Sequence, residues 1–314
     1  IDRRARRPLH QRLHDNTVAL EKAYRSIANE VAHRRSVVPA AEWLLDHYHH
    51  VEKHVSDIVE DLPPGYYRQL PKLADGPFAG YPRVFGLTWA YVAHTDSHFD
   101  PHTLTRFIDA YQRVEPLTIG ELWAIAISLR LVLVENLRRL SDQIVRAREA
   151  RAEADALCEQ LLHPGASNAL LQAYAHLDID DPFAAQFYAQ LAKRLRDQDP
   201  GKTPALAWLE QEFTRLGTSA SAVVQNAHQR QGASNVSVRN TITSLRLIAD
   251  FDWATQVEQV SLVDQRLRAG SRFAEMDFAT RDRYRNAIEQ LARGSQRDEL
   301  FVTEQALSAA RAQP

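Results

Sequence analysis

Apolar residues recur at intervals of three and four along almost the whole chain, and runs that alternate between apolar and polar residues are missing. This spacing places apolar side chains on one face of a helix. The clearest stripe consists of Leu44, Tyr48, Val51, Val55, Ile58 and Leu62. The pattern predicts an all-α protein, a multi-helix bundle of about ten to twelve helices joined by short connections.

Capping residues mark where these helices begin and end. A capping side chain stands directly before a proline at Asp100–Pro101, Asp181–Pro182 and Thr203–Pro204, which suits an N-cap followed by the first helical residue. Thr118 and Glu121 have the spacing of a capping box. Four glycines occupy positions expected of C-terminal caps, namely Gly217, Gly232, Gly270 and Gly294.

The division into domains follows from where helix breakers are absent. Neither glycine nor proline occurs between Glu121 and His163, so we expect one long helix or two nearly continuous helices there. The sequence His163-Pro164-Gly165 then ends the helix. We therefore predict two helical lobes, residues 1–163 and residues 164–314, with a single domain as the alternative.

Composition excludes several classes of protein. The single cysteine, Cys158, excludes a disulfide framework and fits a reducing compartment. A formal net charge of -2 gives no global reason to bind nucleic acid or an anionic membrane. The most apolar stretch, residues 117–134, contains Glu121 and Arg130, which favours a core helix over a membrane span. Because the chain begins without methionine, we expect a fragment of a longer protein.

Residues 63–100 form the segment most different from its helical surroundings, since they combine prolines and glycines with aromatic and titratable side chains. Aromatic rings and arginines can stack on sugar faces and bond hydroxyl groups, whereas packing of the same rings within a proline-rich loop is the alternative. The candidate residues for a glycan-binding or docking surface are Tyr66, Tyr67, Arg68, Tyr81, Arg83, Trp89, His94, Asp96 and Trp123.

Two groups of residues have the composition of a metal site. His47, His50 and His54 fall on one flank of a predicted helix, but neither a cysteine nor a well-placed carboxylate completes the group. The sequence HTDSHFD at residues 94–100 alternates histidine and aspartate, yet Asp100 is needed as a helix cap and a short loop accounts for the rest. We predict no metal site.

No complete catalytic motif is found either. The DxD sequences at residues 178–180 and 250–252 lie at helix junctions, where aspartates serve as caps. Glu121 and Glu135 are about 21 Å apart along a helix, too far for a pair that cleaves a glycoside. Phosphate-binding glycine loops are absent, and Cys158 has no identifiable base partner. We predict no catalytic residue in this chain.

Four long blocks, residues 36–52, 61–100, 116–140 and 237–264, resemble the amino-terminal region of bacterial cyclic β-1,2-glucan synthases. The resemblance extends from about Asn29 to Ala310. Members of this family are large inner-membrane proteins that build a β-1,2-glucan on themselves from UDP-glucose and release it as a ring. Their transferase, cyclisation and phosphorylase-like segments lie downstream of the region that this chain resembles.

The resemblance implies a cytoplasmic helical domain that precedes the first membrane-associated catalytic segment. UDP-glucose, together with a divalent metal, would be used elsewhere in the parent protein, and this chain would need no cofactor. We expect a non-catalytic module that docks on other segments of the same polypeptide or regulates them, with β-1,2-glucan as a further candidate partner. The alternatives are a glycan-binding or glycan-cleaving domain, and an assembly surface without any ligand.

Overall fold

A computed structural model describes residues 8–35, 37–61, 65–161, 172, 174, 178–179, 181–196 and 205–312. The prediction of an all-α fold is confirmed, because these residues form helices and no strand, apart from one isolated antiparallel bridge between Lys72 and Pro82. Ser36, Leu62 and the pair Thr203–Pro204 lie outside the described residues.

Thirteen α-helices occur within the described part of the chain, where about ten to twelve were expected. One of them, α3, is a four-residue turn of helix that the sequence did not reveal. The helices are α1 (Leu9–Ala32), α2 (Pro39–Asp61), α3 (Tyr66–Gln69), α4 (Arg83–His94), α5 (Pro101–Gln112), α6 (Ile119–Leu161), α7 (Pro182–Arg196), α8 (Ala205–Arg215), α9 (Ala220–Asp250), α10 (Trp253–Val260), α11 (Leu262–Gly270), α12 (Phe278–Ser295) and α13 (Glu299–Ala312), with a 3₁₀ turn at Arg272–Glu275.

The chain forms two compact units, each assembled from segments that are distant in sequence. The first contains residues 1–13, 50–134 and 243–314, and the second contains residues 14–49 and 135–242. The sequence suggested two consecutive lobes instead. Residues 163 and 164, at the predicted boundary, lie outside the described residues, so the division into consecutive lobes stays a prediction.

Local capping signals determine where several helices begin. The Thr118–Glu121 capping box is formed, since the Thr118 N–H donates to Glu121 Oε2 at 3.0 Å and the Glu121 N–H donates to Thr118 Oγ1 at 3.2 Å. Asp100 caps α5 by accepting from the Thr103 N–H at 2.7 Å. Helix α6 then continues for 43 residues, which confirms the predicted long helix.

The prediction of glycine caps at helix C-termini was only partly correct. Gly217 follows α8 with a φ of +70°, which a glycine adopts without strain. Gly232 instead lies inside α9, and Gly294 lies inside α12, where Gln296 takes the left-handed conformation with a φ of 56°. Sequence spacing identified glycines that interrupt helical patterns, but it could not tell a cap from a tolerated interior residue.

The core of the second unit is built around Phe187, Tyr188 and Phe213 on α7 and α8, packed against the last turns of α6. Burial raises the pKa of Tyr188 to about 12, and the nearby Glu212 carboxylate acts in the same direction. Cys158 is 1% exposed in this core, and burial raises the pKa of its thiol. Its environment is therefore that of a core residue and not of an activated nucleophile.

Candidate functional site

The aromatic loop folds back onto helix α4. The Leu73 N–H donates to the Tyr81 carbonyl at 3.0 Å and the Arg83 N–H donates to the Pro71 carbonyl at 2.7 Å, which closes the loop at its base. The Phe78 ring lies 5.6 Å from Phe85 and 5.0 Å from Trp89, measured between ring centroids. These rings pack against one another as part of the first unit.

Arg12 lies over this aromatic cluster. Its guanidinium carbon lies 5.5 Å from the centroid of the Tyr81 ring, 5.6 Å from Phe85 and 5.9 Å from Trp89. Tyr81 is 8% exposed. Arg12 and the neighbouring rings therefore contact part of the ring surface of this cluster.

The other candidate residues are distributed over different parts of the first unit. Arg68, His94 and Asp96 are exposed, while Tyr67 is half-buried. The Tyr66 side chain lies outside the described residues. Trp123 is half-buried on α6 and packs against a cluster formed by Ile119, Val263, Leu267, Phe273 and Ile288. The structure therefore brings Tyr81 and Trp89 into one cluster and places Trp123 in another.

The HTDSHFD segment forms a turn. Asp96 and Ser97 both have left-handed φ values, 48° and 62°. Ser244 on α9 holds this turn in place, because its hydroxyl donates to the Ser97 carbonyl at 2.7 Å and accepts from the Phe99 N–H at 2.8 Å. Asp100 is engaged as the cap of α5. Within the described ranges, no group of three or more His, Cys, Asp or Glu residues is arranged to hold a metal ion.

His54 is a buried residue of the first unit. It is 3% exposed, and its Nδ1 atom has no hydrogen-bond partner among the described residues. Burial, together with the positive charge of Arg130, lowers the pKa of its imidazole to about 4. His47 Nδ1 contacts the Trp43 carbonyl at 2.9 Å.

Among the DxD aspartates, Asp252 acts as the helix cap that the sequence suggested. Asp252 caps α10 and accepts from the Thr255 N–H at 3.1 Å, and hydrogen bonds from Thr255 lower the pKa of its carboxyl. Asp250 is the last residue of α9. Asp180 lies outside the described residues.

Arg83, one of the predicted site residues, lies at a charged cleft in the first unit. Its guanidinium donates to both carboxylate oxygens of Glu121, at 2.9 and 2.6 Å, and to the Pro116 carbonyl at 2.9 Å. Glu115 completes the group, 2.9 Å from Arg83. Glu121 is fully buried, and its bidentate ion pair with Arg83 compensates its charge.

Glu299 forms part of the floor of the same cleft, and sequence reasoning missed it. One carboxylate oxygen accepts from the Ile119 N–H at 2.8 Å, at the first residue of α6. Burial raises the pKa of this carboxyl to about 7 from 4.5, and the carboxylates of Glu289 and Glu121 also raise it. The hydrogen bond from Ile119 and the charge of Arg293 act in the opposite direction.

The cleft has a volume of about 590 Å³, within the range of small-molecule sites. Its lining combines charged residues with apolar residues from the loop before α4, from the segment before α6 and from α11 to α13. Within the described part of the chain, this cleft contains both a predicted site residue, Arg83, and a carboxyl with a raised pKa, that of Glu299.

None of the helices that the structure describes combines the length and the apolar composition that crossing a membrane requires.

Comparison with known proteins identifies a relative but no matching family model. The cyclic beta-(1,2)-glucan synthase NdvB of Rhizobium meliloti (strain 1021) is 39% identical to this chain over 296 residues. The matched region is 93% of this chain and 10% of that protein, so the chain spans about a tenth of the length of its relative. The predicted resemblance is thereby confirmed, and the chain is homologous to a segment of a cyclic β-(1,2)-glucan synthase.

Proposed function

We propose that this chain is a non-catalytic helical segment of a membrane-bound cyclic β-1,2-glucan synthase, and that it docks on the catalytic segments of the same polypeptide. Its similarity to the synthase covers 93% of the chain and only 10% of the relative. Most of the length of such an enzyme is therefore available for the transferase, cyclisation and phosphorylase-like segments. In this proposal the chain lies on the cytoplasmic side of the bacterial inner membrane.

The pairing of three buried carboxylates supports a non-catalytic role. Glu121 is paired with Arg83, Asp264 with Arg285, and Glu212 with Arg215. A carboxylate held in a compensated ion pair serves the fold, and it cannot act as a nucleophile without breaking that pair. UDP-glucose and its divalent metal are accordingly assigned to the other segments of the synthase.

Exposed apolar side chains in the first unit support docking. Tyr284 and Leu291 on α12 are 48% and 60% exposed, and Phe301 on α13 is 42% exposed. Exposed apolar side chains on neighbouring helices can contribute to a surface that contacts another protein segment. The partner in this proposal is a segment of the same synthase.

Deletion of these 314 residues from the parent synthase tests the proposal. We expect the deletion to reduce the amount of cyclic glucan made from UDP-glucose or to change its ring size. The level of truncated enzyme in the membrane is measured in parallel, so that lost synthesis is not mistaken for lost protein. Unchanged yield and ring size at an equal enzyme level would contradict the proposal.

Glycan cleavage is the second candidate, because the Glu299 carboxyl has a pKa of about 7, in the range that general acids use. It is tested by incubating the chain with linear β-1,2-glucan, with and without inorganic phosphate. The first proposal predicts neither hydrolysis nor phosphorolysis. Turnover that disappears in Glu299→Gln would establish cleavage in its place.

A further inference from the structure

The Glu299 carboxyl has one oxygen that is available to a ligand. The residue is 9% exposed and lines the cleft, and its Oε2 atom accepts from the Ile119 N–H. No other hydrogen bond or ion pair of this carboxyl is found in the residues that the structure describes. A buried carboxyl oxygen that faces a cleft without a protein partner is a candidate contact for a ligand hydroxyl.

Several of the remaining charged residues of the cleft are held in ion pairs. Arg83 is paired with Glu115 and Glu121, and Arg293 is paired with Glu289. Arg293 also donates to the Gln69 side chain at 2.7 Å. Compensated pairs do not attract a strongly charged ligand, but their remaining lone pairs and N–H groups can still bond neutral polar groups.

Apolar surfaces flank these polar groups. Leu70 and Pro71 line the cleft beside α4, Pro116 and Leu117 line it beside α6, and Leu300 lines it beside α13. A sugar ring presents hydroxyl groups at its edge and C–H groups on its faces. Proline and leucine side chains can pack against such faces while carboxyl, amide and guanidinium groups bond the hydroxyls.

We propose that this cleft binds a neutral polyhydroxylated chain, a stretch of β-1,2-linked glucan, without cleaving it. The inference rests on the proposed function, because it takes the ligand class from the product of the homologous synthase. The polymer would contact Glu299 at the floor of the cleft and Arg293 at its rim. Such contacts hold a growing glucan on the segment while other segments of the synthase act on it.

Isothermal titration of the 314-residue chain with linear β-1,2-gluco-oligosaccharides tests the proposal. We expect saturable binding, which Glu299→Ala and Arg293→Ala each weaken about tenfold because one hydrogen-bonding group is lost. Glu299→Gln should retain binding, since its amide can both donate and accept. Arg266→Ala is the matched control, because this arginine is 58% exposed and does not line the cleft.

Arg293 is 51% exposed at its side chain, so its removal should leave the fold intact even if Glu299→Ala destabilises the protein. Circular dichroism of each variant checks this point. Absence of binding at about 1 mM oligosaccharide would overturn the proposal. Binding that is unchanged in both Glu299→Ala and Arg293→Ala would also overturn it, because the sugar would then occupy another surface.

A basic peptide from the synthase is tested in the same titration. If it binds at the cleft and the oligosaccharide does not, the cleft is a protein-docking site and the glucan proposal fails. Failure here is distinguishable from failure of the proposed function. If the deletion reduces glucan synthesis but the chain does not bind the sugar, only the cleft proposal is rejected. If the chain binds the sugar but the deletion leaves synthesis unchanged, the docking role is rejected.

Discussion

Replacing Glu299 with glutamine should change how the stability of this protein depends on pH. The pKa of the Glu299 carboxyl is about 7 in the folded protein, compared with 4.5 for an unperturbed glutamate. Between these two values the folded state binds one more proton than the unfolded state at this residue. The free energy of unfolding therefore decreases as the pH rises through this interval, by up to about 1.4 kcal/mol per pH unit.

Over the whole interval this contribution amounts to about 3 kcal/mol. Glutamine does not titrate, but its side-chain oxygen can still accept from the Ile119 N–H. We therefore expect wild-type protein to lose about 3 kcal/mol more than Glu299→Gln between about pH 4.5 and pH 7.5. Urea denaturation followed by circular dichroism at several pH values measures this difference.

Glu304→Gln provides the control on the same helix, since the Glu304 side chain is 53% exposed. Its free energy of unfolding should follow the wild-type pH dependence. Parallel pH dependence of wild-type protein and Glu299→Gln would show that the Glu299 carboxyl titrates normally. In that case the assignment of a protonated, buried carboxyl to the cleft would be wrong.

Three further substitutions test other parts of the account. Ser244→Ala should lower the free energy of unfolding by about 2 kcal/mol, because two buried backbone groups lose their partner. The control is Ser128→Ala, which removes a buried hydroxyl without a described partner and should have little effect. Arg285→Met should cost about 3–5 kcal/mol by removing the buried ion-pair partner of Asp264, and adding Asp264→Asn should recover part of that loss. The pKa of His54 is about 4 in the folded protein and 6.5 when unfolded, so protonation of the unfolded state destabilises wild-type protein by about 2 kcal/mol at about pH 5. His54→Leu should remove this contribution. Urea denaturation measures all three, and values equal to wild type would contradict the corresponding contacts.

Features that depend on neighbouring residues could be predicted from the sequence. The helical fold follows from apolar spacing, and the capping box of Thr118 and Glu121 joins residues that are three positions apart. The length of α6 follows from the absence of glycine and proline in that stretch. Each of these signals is local, so it can be read without knowledge of the tertiary structure.

The cleft could not be predicted, because its contacts join distant parts of the chain. Arg83 and Glu121 are 38 positions apart, and Ile119 and Glu299 are 180 positions apart. Nothing in the sequence around Glu299 distinguishes it from a surface glutamate at the start of a helix. Its perturbed pKa comes from burial, which depends on how the helices pack.

The aromatic loop shows why composition left two interpretations open. Tyr81 and Trp89 suit a sugar platform and a packed loop equally well, since both use the same ring faces. Arg12, which lies 69 positions before Tyr81, approaches these rings and donates to the Tyr81 hydroxyl at 3.4 Å. A contact of this kind depends on the tertiary fold, so the sequence could not decide between the two.

The claim that this chain docks on other segments of a glucan synthase is tested most directly by binding in trans. Membranes that contain the parent synthase without residues 1–314 are incubated with the labelled chain, and membranes without any synthase serve as the control. We predict saturable binding to the synthase-containing membranes and a partial return of glucan synthesis from UDP-glucose. Binding no greater than in the control membranes, with no return of synthesis, would contradict the docking role.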